Sequence, residues 1–301
     1  MAQESLFKFN EICCPVCDSD VPKFLGWRGG EAHQSGIGEK TAIVRCQKCS
    51  HQYPNPMPFP KGNLDEIYVN AEEYFVGHDI EKKKQIGIEL MREFERRLGK
   101  KGLFLDVGCG IGELFWAAKQ EGWDAKGIDP SKEFIEYGRK HLGIDGQVTT
   151  LEEAAYPDNS FDAIALGGII EHLYNPFETL TEIRRILRPN GWLFFDAPNE
   201  DGLYMTLGNF YMRLLGRDWV VTLAPTFPPY HVQGFNPKSL KKLLERTNFE
   251  IKEVKIYGEI CPQTGENTMR KKIEFNVAKY TNSLGKSIGK GMYMNIWAQK
   301  K

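Results

Sequence analysis

Lys101-Gly102-Leu103-Phe104-Leu105-Asp106-Val107-Gly108-Cys109-Gly110-Ile111-Gly112-Glu113-Leu114 carries three signals in a row. Leu103 to Val107 is an apolar run with the length of a buried strand. It breaks into glycines at alternate positions, Gly108, Gly110 and Gly112. Leu114, Phe115, Ala117 and Ala118 then follow at helical spacing. Strand, glycine turn and helix is how an open α/β sheet presents a small molecule to the carboxyl end of a strand. Glycines there let ligand atoms approach backbone where a Cβ would clash. The spacing discriminates between ligands. A dinucleotide fingerprint, G-x-G-x-x-G, needs glycine at position 113, which is Glu113. Asp106, two residues before the first glycine, suits an ammonium group better than a pyrophosphate.

Working outward, Ala125-Lys126-Gly127-Ile128-Asp129-Pro130-Ser131 reads as a second strand ending in an acid that can take two hydrogen bonds from a ribose diol. Val148 to Glu152 reads as the end of a third strand beside an adenine. Asn159 to Leu166 is a turn and a fourth strand, followed by Gly167-Gly168-Ile169-Ile170-Glu171-His172-Leu173. Leu187-Arg188-Pro189-Asn190-Gly191 stops a helix and turns into a fifth strand, Trp192 to Phe195. Ser131, Asn175 and Asn236 are cap residues for three helices, the last two backed by Pro176 and Pro237. Ile251–Tyr257 and Met292–Ala298 read as late strands.

As a set these motifs resemble the class I S-adenosylmethionine-dependent methyltransferases of the ubiquinone-biosynthesis O-methyltransferase type, over roughly residues 100 to 255. The resemblance implies a Rossmann-like α/β sheet, mostly parallel with an antiparallel last strand. It implies that Asp106, Gly108, Cys109, Gly110 and Gly112 surround the methionyl end of the cofactor. Asp129 and Pro130 would lie at the ribose, Leu151 and Glu152 would flank the adenine, and Leu166 and Gly167 would offer backbone contacts. By their isolation from the other cysteines, Cys109 and Cys261 read more readily as packed thiols.

Cysteine is concentrated at the front of the chain. Cys14-Pro15-Val16-Cys17 and Cys46-Gln47-Lys48-Cys49 are two C-x-x-C knuckles, each able to turn two thiolates toward one tetrahedral ion. They predict a zinc ribbon over residues 1–60, with Cys13 and His51 as alternative ligands. Four thiolates leave no open position for water, so the zinc is structural. Pro54, Pro56, Pro58 and Pro60 predict a stiff, partly polyproline II exit. Residues 61–100 then read as a linker and a helix, Ile80 to Leu98, whose charges (Lys83 among them) form a solvated face. The aromatic segment Tyr68–Phe75 lies over the cofactor or simply packs on the core. Residues 101–301 form the methyltransferase domain.

The acceptor side carries fewer signals. His172 follows the fourth strand, where the crevice of an open sheet lies, and can take a proton near neutral pH without a large pKa shift. A structural role as a capping residue competes with that of base, and His231 is the second candidate base. An insert at about 200–233 holds Tyr204, Phe210, Tyr211, Trp219, Phe227 and Tyr230. It reads as a lid over the acceptor, or as a helical hairpin packing its own aromatics. Net charge is −1 over 301 residues, and the ribbon has no basic stripe, which argues against a broad grip on nucleic acid. No apolar run is long enough to span a membrane, and the N-terminus lacks the features of a signal peptide, so a cytoplasmic location is expected. The function that emerges is O-methylation of a small metabolite or a glycan sugar. The competing readings are an RNA base methyltransferase whose ribbon binds RNA, and a non-catalytic cofactor sensor or scaffold. Oligomeric state has no signal in the sequence.

Overall fold

The structure is a computed structural model that describes residues 5–62, 79–258 and 269–301, the side chains of 269–274 excepted. Tyr68–Phe75 and Cys261 lie outside the described residues. The front of the chain forms β1 (Phe7–Asn10), β2 (Pro22–Arg28), β3 (Thr41–Cys46), β4 (Gln52–Pro54) and β5 (Met57–Pro60). β2, β3 and β4 make an antiparallel sheet, and β5 returns antiparallel to β1. The alternating prolines are therefore not a polyproline exit. Pro58 and Pro60 sit in β5 opposite Phe9 and Phe7. A strand paired on one edge only tolerates residues that cannot donate to a ladder.

The rest follows as α1 (Ile80–Leu98), β6 (Leu103–Val107), α2 (Glu113–Gln120), β7 (Asp124–Asp129), α3 (Lys132–Leu142), β8 (Gln147–Val148), β9 (Phe161–Leu166), α4 (Pro176–Ile186), β10 (Leu187–Pro198), α5 (Leu203–Leu214), α6 (Pro237–Arg246), β11 (Phe249–Tyr257), α7 (Met269–Ser287) and β12 (Tyr293–Lys300). Helix boundaries obey their caps. Asp79, Ser131, Asn175 and Asn236 each accept a hydrogen bond from a first-turn amide, and Gly99 and Gly143 end α1 and α3 in the left-handed conformation.

Seven strands form one sheet in the order β11-β12-β10-β9-β6-β7-β8. β6, β7, β8, β9 and β10 are parallel, and β12 runs antiparallel to both β10 and β11. This is the Rossmann-like class I methyltransferase sheet. Side chains alternate across it with period two. Leu105, Ile164, Leu193, Phe195 and Ile296 face the core shared with α4 and α6. Phe104, Ala163, Ala165, Phe194 and Trp297 face α1 and α2. The small Ala163 and Ala165 leave room for Phe94 of α1, whose ring meets Trp297 edge-on at 4.7 Å. β11 and β12 pair along their length but are joined through α7, which the sequence did not announce. Val277, Tyr280 and Leu284 of α7 are exposed, so its apolar residues do not mark a buried face. Among the described residues no helix is long and apolar enough to cross a membrane.

The insert after β10 is stitched to the ribbon. Val220 donates to the Trp27 carbonyl, Arg28 Nε to the Leu223 carbonyl, and Glu39 N to Thr226 Oγ1. Gln52 and Gly234 exchange backbone hydrogen bonds at 3.0 and 2.7 Å. Arg246 of α6 reaches the first knuckle, bonding the Val16 carbonyl and Asp18. The expected lid therefore runs along the ribbon, and most of its aromatics lie away from the acceptor side. Phe210 and Tyr211 are exposed on α5, Trp219 bridges to Trp27, and Phe227 packs on His33 and Arg28.

Candidate functional site

β6 ends at Val107, and the glycine turn carries the chain into α2. Gly108 and Gly112 have φ of +68° and +87°. A Cβ at Gly108 would lie 2.4 Å from Ile169 Cδ1, and one at Gly112 would lie 1.8 Å from Ile144 Cδ1. Both glycines are thus required by the protein's own packing as well as by conformation. Asp129 ends the neighbouring β7 and braces the turn. Its Oδ2 accepts from Gly110 N at 2.9 Å and its Oδ1 from Ser131 N at 2.8 Å.

A cavity of about 390 Å³ opens beyond these strand ends. It brings together Gly108, Cys109, Gly110, Asp129, Pro130, Leu151, Glu152, Gly167 and His172, all singled out in the sequence. Gly112 caps α2 without lining it, and Leu166 is fully buried in β9. Asp106 lines a second groove instead, which shares Gly108, Cys109 and Glu113 with the first. The cavity also has walls the sequence did not flag. Lys83 comes from α1, Glu113 from α2, Phe7 from β1 and Tyr230 from the insert. The ribbon thus contributes directly to the cavity wall. Lys83 had read as part of a solvated face, and Phe7 carries no local signal for a site about 100 residues downstream in sequence.

Acidic groups cluster at the glycine turn. Asp106 is buried, and burial, with repulsion from Glu113 and Asp129, pushes its carboxyl up to about 8 against the opposing Phe115 amide. Glu113 Oε1 is buried without a hydrogen-bond partner, 3.7 Å from Lys83 Nζ. A buried carboxylate oxygen with no hydrogen bond, beside a second acid and a lysine, fits a zwitterionic amino-acid end such as the methionyl group of S-adenosylmethionine. Asp106 and Glu113 would face its ammonium group and Lys83 its carboxylate. Asp129 retains lone pairs for a ribose diol. Cys109 is buried and its thiol is raised well above the ordinary value, chiefly by burial, so it is a packed wall group rather than a nucleophile.

At the acceptor end a short 3₁₀ turn, Ile170–His172, carries Glu171 and His172. The insert brings His231 against them: the two histidine rings meet edge-on at 4.8 Å, and His231 Nε2 lies 3.9 Å from Glu171 Oε1. Val232 N and Gln233 N both donate to the Glu171 carbonyl at 2.9 Å. Burial drives all three groups to their neutral forms. His172 falls to about 4, opposed by a hydrogen bond to the Tyr230 backbone. His231 falls to about 3 through burial and His172, and Glu171 rises to about 8 through burial, Asp196 and Glu200. His172 is therefore no ordinary solvent-like histidine, as its sequence context had suggested. Both rings are free bases at neutral pH, and the Glu171–His231 contact is a neutral one. Sequence reasoning passed over Glu171, although it adjoins His172. The three side chains bring an oxygen and two ring nitrogens within 4.8 Å of one another.

The four knuckle cysteines meet as expected. Their sulfurs lie within 4.8 Å of one another, with Cys14–Cys49 and Cys17–Cys46 at 3.5 Å. Tetrahedral zinc with about 2.3 Å bonds separates its sulfurs by about 3.8 Å, whereas a disulfide needs about 2.05 Å. The two knuckles share one turn: Asp18 N donates to Cys14 O, Ser50 N to Cys46 O, and both Asp18 and Ser50 have positive φ. The donor set fits a structural zinc. Cys13 is exposed, and neither it nor His51, whose Nε2 bonds Gln233, belongs to the four-sulfur cluster.

The comparisons with known proteins agree with this geometry. Residues 79–254 match a family described as a methyltransferase domain. A ubiquinone biosynthesis O-methyltransferase of Actinobacillus pleuropneumoniae serotype 7 is 30% identical over 169 residues, covering 53% of this chain and 69% of that protein. One from Thiobacillus denitrificans is 27% identical over 163 residues, covering 52% and 67%. An S-adenosylmethionine-dependent methyltransferase structure from Archaeoglobus fulgidus aligns with a TM-score of 0.52 at 19% identity, covering 76% of this chain and 100% of that one. With more than half its length inside the family match and the same fold around the cofactor cavity, the chain belongs to the methyltransferase-domain family and is an S-adenosylmethionine-dependent methyltransferase.

Proposed function

We propose that the chain methylates a hydroxyl oxygen of a small metabolite or a glycan sugar, with His172 taking the hydroxyl proton. The carrying observation is the cluster of half-buried His172 and His231 on buried Glu171, whose His172 lines the cofactor cavity. The bound cofactor supplies a methyl group already activated on a sulfonium. The chain's own task is to align the acceptor and remove its proton. As the C–O bond forms and the C–S bond breaks, the hydroxyl proton passes to the neutral His172 ring. The Tyr230 backbone holds the ring in place, and the His231 ring packs edge-on against it. A base as weak as His172 deprotonates an aromatic hydroxyl, with a pKa near 10, more readily than a sugar hydroxyl. Phenolic metabolites therefore come first, in keeping with the relatives named for ubiquinone biosynthesis. In this reading residues 1–60 act as a zinc-ribbon unit, 61–100 as a connector and 101–301 as the catalytic unit.

The donor set of Glu171, His172 and His231 favours one second reading, in which a divalent ion there lowers the acceptor's pKa. The test is formation of S-adenosylhomocysteine with a panel of catechols, other phenols and sugars, repeated after chelation and with His172→Ala. Turnover on a hydroxyl acceptor that survives chelation and falls about 10²-fold in His172→Ala supports the base. Loss on chelation with recovery on adding a divalent ion supports the metal. Turnover only on RNA, or with no acceptor at all, refutes both.

A further inference from the structure

We propose that Gln233 is a positioning residue through which the four-cysteine ribbon sets the geometry of His172 and its neighbour His231, an inference that rests on the acceptor-side reading above. His51 follows the second knuckle directly, in the run Cys46-Gln47-Lys48-Cys49-Ser50-His51. Its carbonyl accepts from Cys46 N at 2.8 Å, so its backbone is part of the knuckle turn. Its ring is fully buried between Tyr53 and Phe235, with centroid distances of 6.0 and 4.8 Å. His51 Nε2 donates to Gln233 Oε1 at 2.7 Å, and Gln233 Nε2 donates to the Leu173 carbonyl at 2.8 Å. Leu173 is the residue after His172.

Gln233 also acts through its backbone. Its amide and that of Val232 both donate to the Glu171 carbonyl, and on the other side of Val232 the His231 carbonyl accepts from Ala224 N at 3.2 Å. One buried amide side chain therefore ties the knuckle to the segment Glu171–Leu173, while the loop that carries it also carries His231. The neighbouring bonds run the same way. Gln52 and Gly234 are paired, and Asn236 Nδ2 donates to the Ser50 carbonyl at 2.8 Å. A side chain that serves as both donor and acceptor cannot be replaced by an apolar or a charged one without stranding His51 or Leu173. Misplacing His172 by a fraction of an ångström would spoil proton removal and leave the cofactor cavity intact.

The test compares Gln233→Ala, which removes both bonds, with Gln233→Glu, which keeps the acceptor for His51 and loses the donor to Leu173. Zinc content, S-adenosylhomocysteine affinity, single-turnover transfer, and the ring ¹⁵N resonances of His172 and His231 are measured on intact protein. The expected result in both variants is a transfer rate down about tenfold or more, shifted ring resonances, one zinc per chain, and cofactor-product affinity within about twofold of wild type. Should the alanine variant fold poorly, the isosteric Gln233→Glu carries the comparison. Unchanged ring resonances, or a wild-type rate in folded variant, overturn the proposal. Should wild-type protein methylate no hydroxyl acceptor, the functional reading fails, and the ring resonances still decide the role of Gln233.

Discussion

Cofactor binding should release a proton from Asp106. In the free protein burial and two nearby acids hold its carboxyl at about 8, so it is mostly protonated at neutral pH. An ammonium group bound beside it favours the ionised form. The complex therefore binds fewer protons at this site than the free protein, and affinity should rise with pH below 8. From pH 5.5 to 7 the ionised fraction of a group with a pKa of about 8 grows about 30-fold, roughly 2 kcal/mol of binding free energy. Above that range Asp106 is itself mostly ionised in the free protein, so the slope falls away. Titration calorimetry with S-adenosylhomocysteine over pH 5.5 to 7, in buffers of different ionisation enthalpy, reads both the slope and the released proton. Asp106→Asn should bind more weakly at pH 7 and lose the slope. Affinity that is flat or falls with rising pH in wild-type protein would refute the assignment of Asp106 to the ammonium group.

Other outcomes follow from the same geometry. Protein purified without chelator should hold one zinc per chain, and Cys49→Ser should lose it along with thermal stability, because the metal supplies on the order of 10 kcal/mol to such a ribbon; metal analysis finding none in wild type contradicts the assignment. Asp129→Ala should weaken cofactor binding by about 2–3 kcal/mol, since charge-assisted bonds are lost both to the ribose and to the Gly110 turn; calorimetry showing unchanged affinity contradicts it. Gly112→Ala should cost about 2–4 kcal/mol in urea unfolding, because a Cβ at φ +87° would meet Ile144 Cδ1 at 1.8 Å; an unshifted midpoint would show that Ile144 moves aside freely.

What could be read from sequence was local and chemical. The run Leu103–Glu113 encodes a buried strand, a turn only glycine can make and a helix, and all three stand as expected. Ser131, Asn175 and Asn236 start their helices by side-chain hydrogen bonds, which need no distant partner. The knuckles are likewise self-contained turns. The acceptor end was half legible. His172 could be placed by its position after β9, but its meeting with His231 depends on the insert's path along the ribbon, which no local spacing records. For the same reason the insert's aromatics misled: Phe227 serves the contact with His33 and Arg28, and only Tyr230 of the six aromatics singled out there lines the cavity itself. The basicity of His172 was misjudged because burial by distant elements sets it. The prolines near residue 58 were read without β1, whose pairing makes them a strand.

The central claim is that this methyltransferase removes an acceptor proton at His172, held in place by an insert that the zinc ribbon anchors. Single-turnover methyl transfer to a phenolic acceptor, on folded wild-type, His172→Ala and His172→Gln protein at saturating cofactor, tests it most directly. Both variants should transfer about 10²-fold more slowly while binding S-adenosylhomocysteine as wild type does, and glutamine should not rescue, because an amide cannot take the proton. A wild-type rate in either variant would contradict the account and point instead to His231 as the base or to a metal that lowers the acceptor's pKa.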